Sequence, residues 1–175
     1  MADQVPNVTA HDAAAREILV RGASALARGP DLGSTLERLL AVAAEQVGVE
    51  SAVVVVVDAP DQLRIVASTG LPATALSGLS DAIRNPGHPI ARTVREPAPT
   101  FDVQPTVPGG PALRSHLPLI IATEGADAVL GVLALAHHDP LDAEARLLLE
   151  ATANLAAVAV QLGRVTSTER PASPA

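Results

Sequence analysis

The chain has 175 residues, 48% of them apolar, which is enough for one domain with a sizeable core and short tails. The net charge of −7 argues against a nucleic-acid partner. The absence of cysteine excludes disulfides, thiolate catalysis and cysteine-linked cofactors, and the single Phe leaves a core of Val, Leu, Ile and Ala.

Two helices are predicted before the first strand. The first covers residues 12–28, which are rich in Ala, Leu and Arg and are followed by a Gly-Pro pair. The second begins at Asp31 or Ser34, either of which can cap a helix, and ends at Gly48. Its apolar residues recur at intervals of three and four, which predicts one buried face: Leu32, Leu36, Leu39, Ala43 and Val47.

The middle of the chain predicts a hairpin followed by short elements. An unbroken run of β-branched residues at 51–58 predicts a central strand that is buried on both faces. Residues 62–68 alternate between apolar and polar, which predicts its partner strand at an edge of the sheet. Short helices are expected at 73–79 and 88–95. The prolines of 97–102 allow only a short edge strand there.

A second hairpin and a long helix close the chain. Residues 117–121 and 128–136 are predicted strands, and the second is apolar on both faces, as a central strand would be. A helix at 141–162 follows, with Asp139 or Asp142 as its cap.

The two ends of the chain carry little that could be buried. Residues 1–10 and 166–175 are polar, so we expect disordered tails around a single domain at 11–165. The N-terminus lacks an apolar signal core, and the apolar runs at 52–57 and 132–136 are too short to span a membrane. We therefore expect a cytoplasmic protein.

Taken in order, these elements resemble a GAF domain from about Leu32 to Val165. The resemblance is carried by short motifs in a fixed order: Leu39-Leu40 and residues 53–57, Ser68-Thr-Gly70-Leu71, residues 89–97, Leu117-Pro118-Leu119, Gly131-Val132-Leu133, and Leu147-Leu148-Leu149 with Leu155-Ala156. It implies an α+β, GAF-like (profilin-like) fold with a central antiparallel sheet of five to six strands. The N- and C-terminal helices would lie on one face. Short helices and loops would cover the other face, where the family holds its small-molecule pocket.

Four residues lie on segments that flank the implied pocket: Arg92, Phe101, Arg114 and His116. An Arg at this place could pair with the carboxylate or phosphate of an anionic ligand. The alternative is an exposed Arg whose head is solvated. Phe101 is interpreted as a core or pocket-wall residue, and the adjacent Asp102 as a loop cap.

No cofactor is predicted. Family members that carry a cysteine-linked bilin, and those that reduce free methionine sulfoxide, need cysteines that this chain lacks. The Asn-Lys-Phe-Asp-Glu signature of cyclic-nucleotide-binding members is absent too. His88, His116, His137 and His138 are candidate metal ligands, but the side chains of the adjacent His137 and His138 diverge and cannot easily chelate one ion, so we interpret the four as solvated loop histidines. Haem held by one His remains an alternative.

The last helix carries two rows of apolar residues at spacings of seven, which are Leu141, Leu148, Leu155 and Leu162, and beside them Ala151, Val158 and Val165. Such rows suit a seam between two helices. One interpretation is that they pack only on the domain's own sheet. The other is a homodimer, as the resemblance implies, in which residues 12–28 could supply the opposing helix through Leu19 and Leu26.

The sequence contains no Gly-x-Ser-x-Gly elbow and no phosphate-binding Gly-x-x-x-x-Gly-Lys loop, so no enzyme is predicted. The resemblance implies a bacterial signalling domain that binds a small molecule, dimerises, or does both, and passes a signal to a separate effector protein. Neither a nucleic acid nor a membrane is an expected partner. One alternative is a purely structural dimerisation module without a ligand, and another is a haem-based gas or redox sensor.

Overall fold

The computed structural model describes residues 31–59, 62–105, 113–123 and 125–168. The helices within these ranges are α1 (Leu32–Val47), α2 (Ala73–Ala82), α3 (Pro89–Arg95) and α4 (Ala143–Thr168). The strands are β1 (Ser51–Ala59), β2 (Gln62–Thr69), β3 (Thr100–Val103), β4 (Leu113–Thr123) and β5 (Ala126–His137). The predicted helix at 12–28, the predicted tail 1–10 and residues 169–175 of the predicted tail 166–175 lie outside the described residues. Helix α4 continues to Thr168, past the predicted domain end at 165.

The strands form one antiparallel sheet in the order β2-β1-β5-β4-β3. Strands β1 and β5 pair with each other from Ser51↔Ala136 to Val56↔Gly131, and each has a second neighbour as well. Residues 51–56 and 130–137 are buried throughout, as the unbroken apolar runs predicted. Strands β2 and β3 form the two margins, which confirms the edge positions expected for both.

Helices α1 and α4 contact each other and cover one face of the sheet. The larger core lies between them and the strands. It is built from aliphatic side chains, of which the most deeply buried are Leu36, Leu40, Leu117, Leu119, Leu133 and Leu149. Full burial of each such Leu contributes roughly 1.5–3 kcal/mol before entropy is subtracted. Many medium-sized aliphatic side chains therefore fill this core, because the chain has almost no aromatic residues.

Helices α2 and α3 lie over the opposite face, above a smaller core that contains Val53, Val55, Ile83, Ile90, Val132 and Ala134. No residue within α2 is buried, and its Leu76 and Leu79 only partly cover this core. The cover on this face is therefore thinner than on the face of α1 and α4. This arrangement confirms the predicted α+β architecture, with a five-stranded sheet.

The chemistry of the helix ends matches the sequence. The Asp31 carboxylate accepts hydrogen bonds from the Gly33 and Ser34 N–H groups, at 3.3 and 3.0 Å, and begins α1. Gly48 ends that helix with φ +72°, a left-handed conformation that glycine adopts without steric cost. At α4 the cap is Asp142, whose Oδ1 accepts from the Ala145 N–H at 2.8 Å.

One glycine lies where two central strands approach closely. A Cβ on Gly131 would stand 2.1 Å from the carbonyl oxygen of Val55 on the neighbouring strand. This contact explains why a glycine stands in the Gly-Val-Leu motif. Pro118 lies within β4, but strand β3 pairs with β4 only at His116 and Arg114, so Pro118 falls beyond the end of β3. The missing N–H of Pro118 therefore removes no hydrogen bond between β4 and β3.

Helix α4 also meets the length and composition expected of a membrane-crossing helix over Ala143–Val165, although 44% of that window is buried inside the domain. Isolated polar residues divide the apolar residues of this helix, so no single uninterrupted apolar run in it is long enough to span a membrane. The core helix of a folded domain has the same features, and the buried side chains of α4, among them Leu149 and Ala156, form part of the larger core.

Candidate functional site

Two polar side chains on β4 point toward the face that α2 and α3 cover. Side chains alternate along a strand. Leu117 and Leu119 face α4, so Arg114 and His116 lie on the other face. The His116 Nδ1 lies 3.3 Å from the hydroxyl of Thr100 on the adjacent edge strand. We refer to Arg114, His116, Thr100 and His88, the residue that caps α3, as the β4–α3 cluster.

The imidazole of His116 is almost enclosed, with 6% of the residue exposed. Burial, together with the nearby positive charges of His88 and Arg114, lowers the pKa of His116 to about 4. The ring is therefore neutral at pH 7. Its hydrogen bond uses Nδ1, and no buried side-chain nitrogen or oxygen in the described part of the chain lacks a partner.

His88 joins the cluster from α3. Its Nδ1 accepts a hydrogen bond from the Ile90 N–H at 3.3 Å, which caps this short helix. Burial lowers the pKa of His88 as well, so this ring is also neutral at pH 7. The permanent charge of the cluster is then the guanidinium of Arg114.

The four residues predicted to contact a ligand do not all meet. Arg114 and His116 lie on the same face of β4, and Arg92 is exposed on α3. Neither Arg forms an ion pair with a carboxylate of the described residues. Phe101 packs instead against the larger core on the face of α4, with the Arg146 guanidinium carbon 5.1 Å from its ring centroid.

A second polar network, which we call the β3–α4 latch, lies on the face of α4 and consists of Asp102, Ser115, His137, Leu141 and Arg146. The Asp102 carboxylate accepts a hydrogen bond from the Leu141 N–H at 2.9 Å and one from the Arg146 guanidinium at 2.5 Å. Partial burial alone would raise the pKa of Asp102. The hydrogen bonds from Leu141 and Arg146 outweigh it, so the pKa lies below its ordinary value.

The same network extends into the sheet through Ser115. Its hydroxyl oxygen accepts from the Asp102 N–H at 3.2 Å and lies 2.8 Å from the His137 Nε2. The His137 Nδ1 lies 2.8 Å from the carbonyl oxygen of Asp139. A carbonyl can only accept, so Nδ1 carries a proton, and in the neutral ring Nε2 accepts the hydrogen bond from Ser115. Ser115 is fully buried, which makes this pair a structural element and leaves it out of reach of a substrate.

A bulge in β3 explains why Phe101 and Asp102 both face α4. Thr100 pairs with His116 and Val103 with Arg114, so two residues of β3 lie opposite the single Ser115. Asp102 has φ +56°, in the left-handed region that Asp tolerates better than most residues. Phe101 takes the face of α4 by ordinary alternation after Thr100, and the bulge turns Asp102 to that same face.

The row of leucines predicted as a dimer helix lies mostly inside the domain. Leu141 and Leu148 are buried, and Leu155 packs partly buried against the larger core, which is the packing alternative left open by the sequence. Leu162 is 51% exposed. The second row is the outer one, with Val158 44% and Val165 45% exposed, and Leu147 is 66% exposed beside it. We call Leu147, Ala151, Val158 and Val165 the outer α4 row.

A family profile described as the GAF domain matches residues 29–161. The chain belongs to the GAF domain family. This is a regulatory and sensory family, and the family resemblance expected from the motifs is confirmed. A comparison with curated protein sequences gives no significant match.

Solved GAF domains superimpose on this one. The GAF-B domain of DevS from Mycobacterium smegmatis is 31% identical with a TM-score of 0.60, and the superposition covers 79% of this chain and 99% of that chain. The GAF domain of a phosphoenolpyruvate-protein phosphotransferase from Acinetobacter is 13% identical with a TM-score of 0.68, covering 96% and 99%. A free methionine-R-sulfoxide reductase from Neisseria meningitidis, in complex with its substrate, is 17% identical with a TM-score of 0.63, covering 87% and 91%. At 13% and 17% identity, the last two show the fold alone.

The interpretation of the histidines as solvated loop residues is wrong for two of the four. His116 and His137 lie within strands of this GAF domain and are buried, whereas His138 is 61% exposed. The predicted strands at 117–121 and 128–136 each stop one residue short of the buried His, whereas β4 begins at Leu113 and β5 ends at His137. In the part of the chain that the structure describes, no three His, Asp or Glu side chains converge as metal ligands.

Sequence reasoning also missed the β3–α4 latch. Asp102 was interpreted as a loop cap, but it lies within β3 and binds the start of α4, 39 residues further along the chain. No pattern in the sequence predicts a role for Ser115 or Arg146. No local pattern brings Asp102 and Arg146 together, because the bulge that aims the carboxylate depends on the pairing of β3 with β4.

Proposed function

We propose that this GAF domain is a non-enzymatic regulatory module that binds a small anionic molecule at the β4–α3 cluster and passes the signal to a partner protein through α4. One observation carries the ligand proposal. Among the described residues no carboxylate pairs with Arg114, an exposed side chain that lies beside the nearly buried His116 on the face covered by α2 and α3. A carboxylate or phosphate could pair with Arg114 while it exchanges a hydrogen bond with His116 Nε2.

The absence of catalytic groups supports a non-enzymatic role. The Neisseria relative is a reductase, but this chain contains no cysteine with which to carry out thiol chemistry. The Ser115–His137 pair has the donor and acceptor of an activated nucleophile, yet Ser115 has no exposed surface. A substrate could reach it only if the sheet opened.

A thermal-shift series with small carboxylates and phosphorylated metabolites tests the proposal. A ligand at about 100 times its Kd adds about 2.7 kcal/mol of stability. For a chain of this size that corresponds to roughly 5–10 °C in Tm. Arg114→Gln should abolish the shift. The matched control is Arg38→Gln, an exposed Arg on α1 at the opposite face, which should retain it.

If no anion raises Tm, or if Arg114→Gln responds as the wild type does, the proposed site is wrong. The structural alternative, a module with no ligand, would then stand. A haem sensor would instead show a Soret band after haem is added, and that band should disappear in His116→Gln if His116 is the axial ligand. Protein that takes up no haem rules this alternative out.

Dimerisation is the second half of the proposal, and the outer α4 row favours it. Leu147, Val158 and Val165 are each more than two fifths exposed and lie along one long helix. Apolar residues at spacings of seven suit pairing with a second copy of the same helix. We propose a cytoplasmic homodimer in which α4 presents this surface, with a separate effector protein as the receiver of the signal.

A further inference from the structure

Strand β3 contacts the two polar networks from opposite faces of the sheet. Thr100 lies 3.3 Å from His116 in the β4–α3 cluster. Two residues later, Asp102 binds Leu141 and Arg146 on the face of α4. No other described strand holds the start of α4 by a side-chain carboxylate. β3 is also the shortest strand of the sheet and lies at its margin, where a strand can move with the fewest lost contacts.

The path between the two contacts is short and constrained. The Asp102 N–H is held by Ser115 Oγ, and Ser115 is held by His137. The His137 ring in turn donates to the carbonyl oxygen of Asp139, which lies in the connection just before α4. Both β3 and this connection are therefore attached to the same buried pair, and a shift of β3 changes the position of Asp102 relative to Leu141.

We propose that β3 is a mechanical link which couples the β4–α3 cluster to the first turn of α4, so that a displacement of Thr100 changes the hold of Asp102 on Leu141 and Arg146. The inference rests on the proposed function only for the event that moves Thr100, namely anion binding beside His116. The link between Thr100 and α4 is a property of the unliganded domain and can be measured without any ligand.

Amide hydrogen exchange at Leu141 reports on the link, because this N–H donates to Asp102 in the latch. Asp102→Gly removes the carboxylate that accepts from the Leu141 N–H, and glycine tolerates the φ of +56° at this position. This variant should accelerate exchange of the Leu141 amide about tenfold. Thr100→Val removes the hydroxyl that contacts His116 and should accelerate the same amide about threefold, although it leaves the residues of the latch unaltered. Thr100→Ser keeps a hydroxyl and should restore the wild-type rate.

Thr93→Val is the matched control. Thr93 belongs to α3, which covers the same face of the sheet as Thr100. Its hydroxyl donates to the Pro89 carbonyl oxygen within α3 and not to the cluster. This variant should leave Leu141 exchange unchanged. Exchange of Ala156 amide, deep in α4, serves as the reference for global opening in every variant.

Two results would overturn the link. The first is an unchanged Leu141 rate in Thr100→Val when Asp102→Gly accelerates it, which would mean that the two contacts of β3 are independent. The second is an unchanged rate in Asp102→Gly, which would mean that the carboxylate does not hold α4. If Thr100→Val acts as expected but no anion stabilises the domain, the link stands and the proposed ligand fails.

Discussion

Replacement of Gly131 by Ala tests the account of the central strand pair most directly. The added Cβ would lie 2.1 Å from the Val55 carbonyl oxygen and 3.0 Å from the Val56 Cα, whereas real Cβ contacts essentially never fall below 3.0 Å. The neighbouring atoms are backbone, so no rotamer change relieves the clash. Strands β1 and β5 must separate where Val56 pairs with Gly131, in the middle of the sheet.

The expected loss has two sources. Overpacking of a core costs typically 1–3 kcal/mol, and one weakened ladder hydrogen bond adds about 1 kcal/mol. We expect Gly131→Ala to lose about 3 kcal/mol, a large fraction of the roughly 5–15 kcal/mol that holds a domain folded. Urea unfolding measures it as a lower midpoint at an unchanged m value.

Gly78 provides the matched control on the same chain. It lies inside α2, and a Cβ there would meet nothing within 4 Å. Gly78→Ala should therefore stabilise the domain by about 0.5–1 kcal/mol, because Ala loses less backbone entropy than Gly in a helix. If Gly131→Ala falls within about 0.5 kcal/mol of wild type, below the usual cost of overpacking, the close approach of β1 and β5 is wrong.

Two further predictions concern the cluster and the outer α4 row. The pKa of His116 falls from 6.5 to about 4 on folding, so its contribution to stability is complete above pH 6.5 and is lost as the pH falls toward 4. We expect the wild type to lose about 2 kcal/mol in urea unfolding between pH 7.5 and pH 5, and His116→Gln to lose less, because that variant has no ring to protonate. An equal loss in both proteins would contradict the assignment. Leu147→Glu should shift the native mass from dimer to monomer, whereas Ala41→Glu on the exposed side of α1 should not. A wild-type monomer at micromolar concentration would end the dimer proposal.

The arrangement of the sheet was predictable because it depends on local chemistry. A run of Val residues is stable in a small domain as a strand that is covered on both faces. The alternation of apolar and polar residues in β2 is typical of an edge strand. The caps at Asp31 and Gly48 follow equally from properties of single residues. Each of these signals is complete within about ten residues of the chain, so no tertiary contact is needed to interpret it.

The site was predictable only in part, because it depends on which face a side chain takes. Arg114 and His116 are two residues apart on β4, so they share a face of the sheet. Phe101 follows Thr100, whose side chain faces the cluster, so ordinary alternation places Phe101 on the face of α4. The bulge turns Asp102 to that same face, and a non-glycine residue with φ +56° gives no sequence signal of its own. A one-residue irregularity is enough to move a side chain from one face of a sheet to the other.

The sequence alone also does not show which face of α4 is exposed to a partner. Its two rows of apolar residues have the same spacing of seven, so periodicity cannot say which row is buried. The decision comes from the sheet: Leu141 and Leu148 pack on the domain's own core, and Val158 and Val165 remain outside. The Asp102 contacts at Leu141 and Arg146 fix how the helix is rotated at its first turn. A change at that turn would rotate the outer row as well, so the latch and the proposed dimer surface are two ends of one rigid element.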